Sequence, residues 1–204
     1  MFYKSKLIIA LTGLIVVSIL DIFWFKSSAT LEVLYLNNNR IKYTIAIIND
    51  TLKLFWYIFP STFLLTALIS RHRLYKQVSI NNLIHILLMG VLVLFLKFST
   101  GKARPQHANN PFDYNLFKGY LEKNHDSFPS GETAMAFVQT LYLLRFVKFK
   151  TLLVIFSTLT PLARLALYRH WWFDCAFSIF LSVIIIKITR AYFQKSKTTL
   201  PHCR

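Results

Sequence analysis

The chain is poor in glycine, cysteine and acid: among its 204 residues are five glycines, two cysteines and eight Asp or Glu. Cys175 and Cys203 lie far apart, one in an apolar run and one in the final residues. That spacing excludes a disulfide framework and a cysteine metal site, and no metal or other cofactor is expected. There is no internal repeat and no low-complexity segment. The basic residues sit between apolar runs rather than on one stripe, and no RNA- or DNA-reading motif accompanies them. Nucleic acid is therefore not an expected partner.

What is abundant is apolar and basic: 55% of residues are hydrophobic, 16% are aromatic, and the net charge is +16. Six apolar runs cover residues 7–25, 54–69, 83–98, 133–149, 152–167 and 171–188. About 20 apolar residues cross a bilayer, so these runs predict an all-α, integral membrane bundle of about six transmembrane helices. Several runs are short for a span, and their aromatic and Lys/Arg flanks are expected to extend them by snorkelling. Residues 1–204 read as one membrane-embedded domain. The first run resembles a signal peptide, but its length and its Phe23-Trp24-Phe25 end favour a retained span. Residues 26–53, rich in Asn, are expected to form a loop leading into an amphipathic approach to the second span. Pro60 predicts a kink or a helix start within that span.

Six spans place both termini on one side. That side, with the links around Arg71–Lys76 and Arg145–Lys150, holds more than half of the 24 Lys and Arg, and all eight acids lie near the other. The positive-inside rule then puts the termini in the cytoplasm and the remaining polar clusters outside.

Three of those clusters carry chemistry. The first runs from Lys97 through Lys102 and Arg104 to Pro105, the second from Phe128 to Thr133, and the third from Arg164 through Arg169 and His170 to Asp174. Charged groups at membrane depth are costly and usually functional. Arg offers a planar fork to phosphate oxygens and Lys a point charge. Ser130 and Gly131 precede a predicted helix whose free N–H groups suit an anion. His170 and Asp174 lie four apart, a spacing that lets a carboxylate orient the ring and sharpen its nucleophilicity. The expectation is one phosphate site at the membrane surface.

These clusters resemble the three-part signature of the type-2 phosphatidic acid phosphatase superfamily. Lys97, Arg104 and Pro105 match the first part, Pro129, Ser130 and Gly131 the second, and Arg164, His170 and Asp174 the third, in order and at the family's spacing. The resemblance implies a metal-independent lipid phosphatase that works through a phosphohistidine. His170 would be the nucleophile and Asp174 its partner. Lys97, Arg104, Ser130, Gly131 and Arg164 would bind the substrate phosphate. Two positions depart from the pattern. Ala163 replaces a Ser, and Glu132 replaces the His that resembles a general acid for the leaving oxygen. Three outcomes follow: Glu132 itself serves as acid or base, His125 replaces the missing group, or the leaving group needs little help. A non-catalytic binder of lipid phosphate remains a fourth alternative.

Lys102, Lys118, Lys123 and Arg169 are further outer cations, candidates to hold a second phosphate or a sugar head group. The short chain resembles bacterial members of the family, which implies a phosphatase of the bacterial cytoplasmic (inner) membrane with its site facing the periplasm, and the outer cations lean toward lipid A as its substrate. An undecaprenyl diphosphate phosphatase is the alternative. A transporter is disfavoured, because no inverted repeat is visible.

Overall fold

The computed structural model describes residues 39–69, 73–117 and 124–198, together with single positions 16, 18, 19, 21, 22 and 121. Five helices are complete among these: α1 (Asn39–Ile69), α2 (Arg73–Thr100), α3 (Gly131–Leu143), α4 (Lys150–Ala166) and α5 (Trp172–Thr198). The described residues contain no strand, only an isolated antiparallel bridge between Lys102 and Tyr114. The all-α expectation holds. The first apolar run, Lys118, Lys123 and Cys203 fall mostly or wholly outside the described residues.

Helix α3 is the hub, packed against α2, α4 and α5. Its Ala134, Ala136, Val138 and Leu143 are fully buried, and the two alanines let neighbouring backbones approach. Leu54, Leu65, Leu87, Val91 and Phe95 on α1 and α2 are instead turned outward. An apolar exterior of this kind suits hydrocarbon rather than water.

Among the described residues, three helices are long and apolar enough to cross a membrane: Arg40–Ile69, Arg73–Thr100 and Trp172–Tyr192. The count of six spans is not confirmed, and the first of the six runs lies mostly outside the described residues. The fourth run was expected to reach Phe149, but α3 stops at Leu143 and a turn over residues 144–146 follows. Thirteen helical residues span about 20 Å, less than the roughly 30 Å of hydrocarbon. A helix enclosed by its neighbours tolerates this, because protein and not lipid surrounds its ends. The loop expected up to Lys53 is also corrected, since helix begins at Asn39 and runs without a break through Pro60 to Ile69.

Gly101 ends α2. Its φ of +52° is the left-handed conformation that favours glycine, and its N–H donates back to the Lys97 carbonyl at 3.1 Å. A Cβ here would lie 1.8 Å from the Asn115 carbonyl oxygen. Gly101→Ala is expected to destabilise the fold by about 2 kcal/mol or more. A thermal melt in detergent reads this as a clear loss of Tm, and an unchanged melt would contradict the assignment.

Candidate active site

The ends of α2 and α4 and the starts of α3 and α5 meet at one end of the bundle, so the three sequence clusters converge. Together with α1 they enclose a cavity of about 390 Å³, lined by Lys97, Arg104, Gly131, Glu132, Arg164, Arg169 and His170 among others. Lys53 and Tyr57 of α1 and Asp126 of the α2–α3 loop complete its polar wall.

His170 sits in the turn after α4, with 4% of its surface exposed. Its Nδ1 lies 2.8 Å from the Ser127 carbonyl oxygen. A carbonyl can only accept, so Nδ1 carries the proton and Nε2 keeps the lone pair. Burial pushes the ring's pKa down to about 4. Asp174 opposes that shift, and Lys97 and Arg164 add to it. The ring is thus neutral, the nucleophilic form, at every pH well above 4.

Asp174 stands behind the ring. Its Oδ2 is 3.7 Å from His170 Nδ1, too long for a hydrogen bond, and it accepts instead from Ser127 Oγ at 2.5 Å and the Trp171 N–H at 3.1 Å. The direct carboxylate–imidazole bond expected from the i, i+4 spacing is replaced by the Ser127 carbonyl. Ser127, adjacent to the second cluster, was not singled out in the sequence.

Each anticipated phosphate-binding cation already has a carboxylate. Asp126 takes the Arg104 fork at 2.8 and 2.7 Å, and its Oδ2 lies 3.6 Å from Lys97 Nζ. Lys97 also donates to the Asp126 backbone carbonyl. Burial alone would raise the Asp126 pKa, but the Arg104 hydrogen bonds and the Lys97 charge outweigh it and hold it at about 2. Arg164 pairs with Glu132, whose other oxygen lies 4.0 Å from Lys53 Nζ. The Arg164 Nε, buried, has no hydrogen-bond partner in the protein. Five cations thus face two carboxylates around the cavity, leaving it strongly positive.

Several expected residues lie elsewhere. Ser130 is wholly buried and its hydroxyl is 2.9 Å from Thr133 Oγ1, so it stands behind the cavity wall rather than in it. Gly131 does line the wall, and a Cβ there would rest 3.5 Å from Val93 and 3.9 Å from Lys97. His125 is half-buried and does not line the cavity. Lys102 is not an outer cation at all. It is 2% exposed and donates to Asp174 Oδ1 at 2.9 Å. Arg169 does reach the cavity. Ala163 is buried in α4.

The sequence missed Asp126 and Lys53. Asp126 had a signal, an acid just before the second cluster and within reach of its cations. Lys53 had none, since it comes from α1, whose register against α2 is set only by packing.

A family model describes the same segment: the chain belongs to the PAP2 superfamily, matched over residues 80–198. Membership supports phosphatase activity on phosphorylated, lipid-like substrates. No curated protein and no solved structure matches the chain.

Proposed function

We propose that the protein is a metal-independent membrane lipid phosphatase with His170 as nucleophile. The observation that carries this is the Nδ1 contact to the Ser127 carbonyl, which leaves Nε2 as the ring's basic nitrogen in a cavity rich in cations. In the first step Nε2 bonds to phosphorus as the bond to the leaving oxygen breaks, and the electron pair departs with that oxygen. In the second step water attacks phosphorus, the P–N bond breaks, and the ring recovers its lone pair. Lys97, Arg104 and Arg164 stabilise the equatorial oxygens, with the Gly131 N–H at the start of α3. For this the phosphate must draw the cations away from Asp126 and Glu132.

The site is proposed to face the periplasm at the outer surface of a bacterial cytoplasmic membrane, with both termini cytoplasmic and residues 1–204 acting as one domain. The distribution of Lys and Arg supports that orientation. Lipid A is the substrate suggested by the outer cations. Of the four that carried the suggestion, Lys102 is buried in an ion pair while Arg169 lines the cavity.

A specific observation favours the second reading, undecaprenyl diphosphate. Glu132 is held by Arg164 and Lys53, and a carboxylate beside cations is a poor proton donor. A diphosphate leaves as a phosphate and needs little protonation, whereas a monoester leaves as an alkoxide. Lys53, half-exposed, and Arg169 supply charge for such a leaving group. Lys53→Gln is expected to slow diphosphate hydrolysis by roughly tenfold and monoester hydrolysis by much less. Equal losses on both would remove the argument. Phosphate release from lipid A and from undecaprenyl diphosphate in detergent tests the whole reading. Tight binding without release from either would make the protein a lipid-phosphate binder.

A further inference from the structure

Behind His170, away from the cavity, Asp174 is joined in a buried charge cluster by Lys102 and Asp21, neither of which is a matched position of the three-part signature. Lys102 Nζ is 2.9 Å from Asp174 Oδ1 and 3.8 Å from Asp21 Oδ2. The rings of Tyr114, Trp171 and Phe173 surround the ammonium at 5.8, 5.3 and 5.5 Å. Asp21 accepts the Phe173 N–H at 3.2 and 3.3 Å, in the first turn of α5. Lys102, Asp21 and Asp174 are all shielded from solvent. Isolated charges at such depth are expensive, so the three are held together by mutual pairing.

Two carboxylates share one lysine, which leaves one net negative charge beside the ring. With Lys102 on Oδ1, the other Asp174 oxygen is turned toward Ser127, Trp171 and His170. When Nε2 is bonded to phosphorus and Nδ1 keeps its proton, the imidazole ring is positive. A net negative charge behind it lowers the energy of that state, and more so in a low-dielectric setting.

We propose that Asp21 is a positioning residue for the reaction at His170: it offsets Lys102, the ion-pair partner of Asp174, so that one net negative charge stays behind the ring. This rests on the phosphatase reading above. Neither Asp21 nor Lys102 lines the cavity, so neither contacts substrate.

Charge counting provides the test. Asp21→Asn, close to isosteric, makes the cluster neutral. Adding Lys102→Met restores one net negative charge, now on Asp174 alone. Wild type, Asp21→Asn and the double variant are purified in detergent, checked by thermal melt, and assayed on lipid A and undecaprenyl diphosphate. Asp21→Asn is expected to lower kcat by about tenfold with KM within about twofold. The double variant is expected to recover part of that loss, although it lacks two buried groups. Asp21→Asn with unchanged kcat, or a double variant slower than Asp21→Asn, overturns the proposal while leaving the phosphatase reading intact. A wild type that releases no phosphate from either lipid overturns both.

Discussion

Replacing His170 is expected to stop phosphate release. His170→Ala is expected to lower turnover by on the order of 10⁴-fold or more, because a covalent route loses its only nucleophile. The substitution also deprives the buried Ser127 carbonyl of its donor, at a cost of about 1–3 kcal/mol. His170→Asn separates the two effects. Its amide can reach the Nδ1 position and donate to Ser127 but offers no ring nitrogen for attack. The asparagine variant is expected to melt close to wild type and to be equally inactive, as read by phosphate release and thermal melt side by side. Substantial activity in a well-folded His170→Asn protein would remove His170 from the chemistry.

The second large effect concerns Glu132. Its carboxylate occupies Arg164 and approaches Lys53, so the resting site holds an internal anion where a substrate phosphate would bind. Glu132→His removes that anion and supplies a proton donor. General acid assistance contributes roughly 10²–10⁴-fold, so a gain of about tenfold or more is expected on a monoester, whose leaving oxygen needs a proton. A much smaller gain is expected on a diphosphate. The cost is stability. Arg164 is buried and its partner is gone, which typically costs about 3–5 kcal/mol, and added inorganic phosphate should recover part of it. Activity assays on both lipids, with melts at increasing phosphate, check all three statements. A uniform loss of activity would instead make Glu132 a working acid or base.

How much of this could be read from the residues alone varies by feature. Apolar runs predict helices well, because backbone satisfaction in lipid leaves few alternatives. Run length predicted the start of α3 closely but its C-terminal end poorly. That helix is enclosed by protein, and a hydropathy count cannot tell an enclosed helix from one in lipid. The Asn-rich approach to the second span looked like a loop, yet Asn39 begins a helix of 31 residues. Residue type there is a weaker determinant than packing against the rest of the bundle.

The three clusters were legible because their spacing is local. Lys97, Arg104, Gly131, Arg164 and His170 do line one cavity. What sequence could not supply was the partner of each charge. Lys102 lies between Lys97 and Arg104 in the chain and reads as one more outer cation, yet its partners are Asp21 and Asp174, far away in sequence. Asp126 and Lys53 entered the site for the same reason: tertiary contacts pair them with cluster residues.

Phosphate is proposed to pass through a bond to His170 Nε2. The most direct measurement is trapping with substrate labelled in the transferred phosphate, quenched within a turnover in alkali, where a phosphoimidazole survives. Label is expected on the peptide containing His170 in the wild type and none in His170→Asn. Rapid release of labelled phosphate with no label on the protein at any time point, or label retained in the His170→Asn variant, would contradict it.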